Sequence, residues 1–516
     1  MHSHPTRPSA ARMAPQRKPR VIRPMSNLEL YHSALHTLRH SCGTAVTCHY
    51  VLPKHHIGGE LKTAQDVFHR AMALTVIEHP MLQVGILNED SAMPSWIELD
   101  DVNLSTHVTW EKIQPKDYDA SLKEAIGSQL DTWFIDVESK PGWRISVLYP
   151  EGALGSLDVI FCWNHTNFDG VAGKIFHQSL LRNLNDSRVG NELDCLKDNV
   201  LHLESVTERF PPPPEKLVNI PISWGYALST VWKELRPPFL VSNDPTQANW
   251  APIHEEPYRT VFRTISIDDA TLKKVVEKCR AHKTTIAGLL HALPLVSLSL
   301  QLAEGQKHHK KEAKSMYAIT ALDIRRFIPA KSDAYPWHDP STTMDNQMAL
   351  CDHMFDENLV SELRIKAQSV SSGEDVMAKL EDIVWSAAVQ ARKDIQHKLD
   401  QGMNNEPLGL MGLVKDWRTQ KKQQLKKPRV GAWGVSNLGT IEGEVEGSGS
   451  GSGWSIERAV FQLSCEITSP VFHISSMSVK GKELCVDISW QEGAIDAEIG
   501  NKLTSDMEAW LRFLGA

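Results

Sequence analysis

Paired cysteines are missing from this chain. Its 8 cysteines, Cys42, Cys48, Cys162, Cys195, Cys279, Cys351, Cys465 and Cys485, form no CxxC pair. Such scatter argues against a redox centre or a disulfide framework, and reads as reduced, buried thiols of a cytoplasmic protein. No apolar run is long enough to span a bilayer, and no secretory apolar segment follows the N-terminus. The dinucleotide glycine fingerprint and the P-loop are both absent. No internal repeat is visible, which argues against a solenoid. Positive charge is not in surplus: 55 Lys+Arg stand against 63 Asp+Glu, a net charge of -8. That balance argues against a nucleic-acid partner, which demands concentrated positive charge. His55-His56 and Cys351-Asp352-His353 have no companions at metal-ligand spacing, so neither a zinc site nor a bound cofactor is expected.

What is present is an ordinary globular balance, 41% hydrophobic and 23% charged, in 516 residues. That length exceeds one ordinary core and predicts two domains or one bilobal α/β fold. Residues 1–25 read as a disordered basic arm: six Lys or Arg precede the first acid, Glu29, and five prolines break the amphipathic helix an organelle presequence would need. Ser26-Asn27-Leu28-Glu29 is a capping box that opens the first helix. An N-terminal lobe is expected over 26–205, a crossover over 206–255 and a C-terminal lobe over 256–516. In the crossover, Trp224, Leu228, Val231, Trp232 and Leu235 share one helical face. Packing of that face on a lobe is expected, with a membrane or lipid surface as the alternative. Gly447 to Gly453 alternates Gly and Ser, as a flexible loop does.

The residues that carry chemistry lie in His165-Thr166-Asn167-Phe168-Asp169-Gly170. An apolar strand, Leu157 to Trp163, runs into this segment and a helix from about Val171 to Leu184 runs out of it. Two rigid elements therefore fix one loop histidine. A neutral imidazole facing a channel can take a proton from a hydroxyl or amine as it attacks a thioester carbonyl. Asp169, constrained by the turn, suits pairing with an arginine that holds the loop. Gly170 permits either the turn geometry or a close backbone approach. A loop histidine satisfied by its neighbours, without chemistry, is the bland alternative.

The run resembles the histidine-x-x-x-aspartate-glycine motif of the CoA-dependent acyltransferases, which include chloramphenicol acetyltransferase, plant BAHD acyltransferases, condensation domains and fungal alcohol acetyltransferases. Asn164 stands where many condensation domains carry a second histidine. His79-Pro80-Met81-Leu82, Pro141-Gly142-Trp143-Arg144, Phe176-His177, the run Cys279 to Thr285, and Val435-Ser436-Asn437-Leu438-Gly439 are similar to the alcohol acetyltransferase branch. The Asp-Phe-Gly-Trp-Gly run of the plant branch is absent, and Gly431-Ala432-Trp433-Gly434 is a loose echo of it.

The resemblance implies two chloramphenicol-acetyltransferase-like lobes, each a mixed sheet flanked by helices, with a tunnel between them. It implies His165 and Asp169 as catalytic-motif residues and acetyl-CoA as co-substrate, with a small-molecule alcohol or amine as acceptor. Ser436-Asn437 is similar to the Ser-Asn-Leu-Gly run of dihydrolipoyl acyltransferases, which makes either residue an oxyanion donor or a plain turn former. Arg325 is the expected partner of Asp169, with Arg326 the alternate. Two basic runs, Lys307 to Lys314 and Lys415 to Arg429, read as solvated faces or as contacts to CoA phosphates. A donor on a carrier protein and a non-catalytic binding protein of the same fold are the rival readings. A monomer is expected.

Overall fold

The capping box forms as the sequence reads. Ser26 accepts from the Glu29 amide, Glu29 returns to the Ser26 amide, and the helix Asn27–Thr37 follows. This computed structural model describes residues 18–54, 57–152, 154–235, 246, 250–303, 313–371, 375–445 and 453–516. His55-His56, Lys307 to Lys311 and Gly447 to Ser452 lie outside them.

Two mixed sheets organise the chain. The first runs Ser455–Leu463, Gly43–Val51, Ser156–Asn164, Trp143–Pro150, Val108–Ile113, antiparallel except for its last, parallel pair. The second runs Thr260–Ile267, Leu484–Gln491, Phe472–Val479, Trp433–Ile441, Met316–Asp323, Met348–Phe355, with two parallel pairs around Trp433–Ile441. The central strand Ser156–Asn164 is apolar over nearly its whole length because both its faces are covered. Helices Leu61–Glu78 and Gly170–Leu184 lie over the first sheet; Ile286–Gln301, Val376–Gln401 and Ala497–Leu514 cover the second. Each sheet has its own core, one around Phe161, Trp163 and Phe176, the other around Trp433, Phe472 and Trp490.

Three expectations are corrected. The basic arm is not disordered to its end: Val21–Pro24 is a strand paired with Ser95–Glu98, and residues 1–17 lie outside the described part. The boundary at 256 does not divide the sheets, because Ser455–Leu463 leaves the second lobe and completes the first sheet against Gly43–Val51. Its neighbour Ser475 then donates to the Phe461 carbonyl at 2.6 Å, stitching the lobes. Finally, the helix Trp224–Leu235 does not bury its apolar face: Trp224 is 86% and Trp232 62% exposed. Helical periodicity reports which residues share a face, not what that face meets.

Candidate active site

His165 sits one residue beyond the strand Ser156–Asn164, and Asp169 is the N-cap of the helix Gly170–Leu184. The Asp169 carboxylate has three duties. One oxygen accepts from the Ala172 amide at 2.9 Å, capping the helix. The other accepts from Arg325 Nη1 at 2.6 Å and from the Gln347 amide at 2.8 Å. Arg325 continues to Asp345 through Nη2, at 2.8 Å to the carboxylate and 3.0 Å to the carbonyl. Both Arg325 and Asp169 are buried, so the pair ties the motif loop of the first sheet to the strand end of the second. Burial works against the Arg325 charge, but Asp169, Asp345 and Asp323 together outweigh it and hold the guanidinium above its ordinary value. Arg326, the alternate partner, is exposed.

Gly170 is required by contact rather than by an unusual backbone angle. A Cβ there would lie 2.7 Å from the Phe461 ring and 2.8 Å from Leu438 Cδ2. The strand carrying Ser436 and Asn437 thus abuts the motif, and Lys174 of the motif helix donates to the Leu438 carbonyl at 3.1 Å. Asn437 spends its side-chain oxygen on the Gly439 amide at 2.8 Å, as a turn former does. Ser436 is half-buried and pairs in register with Ser475.

The motif opens on a cavity of about 990 Å³ between the sheets. His165, Asp169, Ser436 and Asn437 line it together with apolar side chains such as Ile319, Leu322, Val435 and Phe461. Lys415, Lys421 and Lys427 line it too, whereas Arg418 of the same basic run is tied to Thr37 at 3.0 Å and to the carbonyls of Ser91 and Glu89. Lys314, of the other run, pairs with Glu357 at 3.4 Å. Burial lowers the His165 pKa, opposed by the ring's hydrogen bond to its own backbone carbonyl and by the charge of Asp169.

With this geometry in place, comparison with known proteins decides the family. The sequence pattern of the alcohol acetyltransferases matches residues 76–502. The chain belongs to the alcohol acetyltransferase family. The probable alcohol acetyltransferase FCK4 of Fusarium pseudograminearum is 26% identical over 509 residues, covering 96% of each chain. Among solved structures, the trichothecene 15-O-acetyltransferase TRI3 of Fusarium sporotrichioides superposes with a TM-score of 0.65 at 14% identity, over 95% of this chain and 94% of its own. The first condensation domain of the CDA synthetase superposes at 0.57 with 12% identity, over 95% and 96%. This alcohol acetyltransferase relative is therefore an acyltransferase of two chloramphenicol-acetyltransferase-like lobes, as the resemblance implied.

Sequence reasoning missed Asn346, which donates to the His165 carbonyl at 2.7 Å and lies 3.3 Å from Nδ1, and Gln347, which holds Asp169. Asp345-Asn346-Gln347 is a short polar run ahead of an alternating strand, with nothing to distinguish it from a turn. His32, on the first helix, was missed as well; its ring stacks on His165 with centroids 4.1 Å apart and planes 2° apart. Cys162, a conceivable nucleophile, is buried off the cavity, donates to the Gln129 carbonyl at 3.3 Å and has its pKa pushed up by burial.

Proposed function

We propose that this acyltransferase moves an acetyl group from acetyl-CoA to the hydroxyl of a bulky, largely apolar alcohol, with His165 as general base. The observation that carries the reading is the placement of His165 on the wall of the cavity between the two sheets. The acceptor hydroxyl gives its proton to Nε2 while its oxygen attacks the thioester carbonyl. The oxyanion that forms takes a hydrogen bond from Ser436. Collapse expels the CoA thiolate, which recovers the proton from the imidazolium, so the ester and free thiol leave with no acyl-enzyme between them. Asp169 and Arg325 hold the loop and do not exchange protons with substrate.

A cavity of about 990 Å³ is larger than a short-chain alcohol and the thioester arm fill together, and its apolar lining suits a polycyclic or long-chain acceptor. The name of TRI3, an acetyltransferase of a trichothecene hydroxyl, is in keeping with such an acceptor. Lys415 and Lys427 supply positive charge for the CoA phosphates. Eight free cysteines fit a reducing cytoplasmic compartment.

The test is release of free thiol from acetyl-CoA in the presence of a panel of alcohols and amines, with mass detection of the product. Ester formation with lipophilic alcohols is the expected result. Thiol release only with amines would make the enzyme an N-acyltransferase, and turnover only with a carrier-bound acyl donor would displace CoA from the reading.

A further inference from the structure

The base does not stand on the motif loop alone. The His32 imidazole lies flat against His165, and it comes from the helix Asn27–Thr37, more than a hundred residues away in sequence. His32 is buried and lines the same cavity, and its Nε2 has no hydrogen-bond partner among the described residues. A polar ring placed there without a hydrogen bond at that nitrogen carries a desolvation cost. The rest of the fold opposes that cost by gripping the helix. Its start is capped by Ser26 and Glu29, and Arg23 holds Glu29 with two bonds of 2.8 Å. From the other lobe, Lys421 reaches the Tyr31 hydroxyl at 3.0 Å and lies 4.5 Å over its ring, Trp417 meets the same ring edge-on, and Arg418 binds Thr37.

We infer that His32 is a positioning residue for the proposed base. It takes one face of the His165 ring while Asn346 takes the Nδ1 edge, which leaves Nε2 as the nitrogen for the acceptor's proton. A loop histidine has two χ angles to settle, and a flat partner removes one of them. His32 itself is held in its neutral form. Burial first, then the charges of His165 and Lys421, hold the His32 pKa well below its ordinary value, which favours a neutral ring. The charged and titratable groups around the pair are Asp169, with Arg325 and Asp345 behind it, Lys421 from the helix Trp417–Gln424, and Tyr31 with Glu466. The inference rests on His165 being the base.

Two variants test it, His32→Ala and His32→Phe, in the full-length enzyme with acetyl-CoA and an accepted alcohol. His32→Ala should lower kcat roughly a hundredfold, because small misplacement of a reacting group costs that much, with little change in either KM. It should also move the pH midpoint of kcat/KM upward, since the vacated space hydrates His165. His32→Phe keeps a flat ring and should recover kcat to within roughly tenfold of the parent. A His32→Ala protein with unchanged kcat and midpoint overturns the inference. So does a His32→Phe protein as slow as His32→Ala, when both keep the parent's circular dichroism, because the imidazole nitrogen would then be what matters. His165→Ala in the same assay separates the two readings: if it stays active, the base assignment itself fails, whatever His32 does.

Discussion

Arg325 Nη1 lies 2.6 Å from Asp169 Oδ2, joining residues 156 positions apart on the two sheets. The contact is buried, and both partners have further bonds: Asp169 to Ala172 and Gln347, Arg325 to Asp345. The carboxylate of the motif is therefore spent on bonds across the seam between the lobes. That placement makes it a structural clamp whose loss is felt in stability as well as rate.

Asp169→Asn should keep the helix cap, since asparagine caps as well as aspartate. It removes the charge that Arg325 meets. Breaking a buried pair costs about 3–5 kcal/mol, and the low end applies because Asp345 still holds the guanidinium. A clear fall in melting temperature together with reduced turnover is expected. Lost turnover at an unchanged melting temperature would give Asp169 a direct part in the chemistry.

His165→Ala should bind acetyl-CoA as the parent does, by calorimetry, and lose about a hundredfold to ten-thousandfold in kcat. Intact-mass spectra of the parent with acetyl-CoA and no acceptor should show no added acyl group.

The activity profile should rise with pH through a midpoint below 6.5. As the proposed base, His165 would act in its neutral form, and burial lowers its pKa from 6.5, so that form would persist into mildly acidic buffer. Initial rates from pH 5 to 8 measure this, in buffers chosen to span the ordinary histidine range of about 6.5. A midpoint above 6.5 would mean that the Asp169 charge outweighs burial.

Acid should destabilise the fold earlier than carboxylate titration alone would. Burial lowers His79, His177 and His473 to about 4, and His32 and His291 well below 6.5. A depressed histidine pKa leaves stability intact above 6.5, and stability is lost as pH falls from there toward about 4, because the unfolded chain binds the protons first. Asp487, raised to about 7 by burial, runs the other way and favours the folded state at low pH, as do Asp131, Glu215, Glu406 and Glu466, which burial also raises, while His40, lowered to about 4 by burial, joins the histidines. Urea midpoints should therefore drop steadily between pH 6.5 and 4. Flat midpoints across that window would show that these histidines reach water when charged.

Gly170→Ala improves helix propensity by at most about 1 kcal/mol. Against that, the new methyl meets the buried Phe461 ring at 2.7 Å, and overpacking costs about 1–3 kcal/mol. The clash should win, with lower stability and activity, and Phe461→Leu in the same chain should restore part of both. A more stable Gly170→Ala protein would show that the Phe461 and Leu438 side chains yield freely.

Much of this protein was legible from local pattern. The capping box at Ser26, the strand at Thr260–Ile267 and the strand–loop–helix around His165 follow from spacing, caps and breakers that act within a few residues. Arg325 was reached only through a family resemblance, since a charge at a strand end names no partner by itself. The tertiary structure alone decided that Ser455–Leu463 belongs to the first sheet, that Trp224, Leu228 and Trp232 stay exposed, and that His32 and Asn346 meet His165. It also showed that Arg418 and Lys421 of the second basic run fasten the first helix instead of lying on a solvated face. These are contacts between segments far apart in the chain. A strand carries the same alternation whichever sheet accepts it, and a histidine on a helix carries no mark of the ring it will cover. Such pairings are fixed by how two cores pack against one seam, where burial and unpaired polar groups select one arrangement.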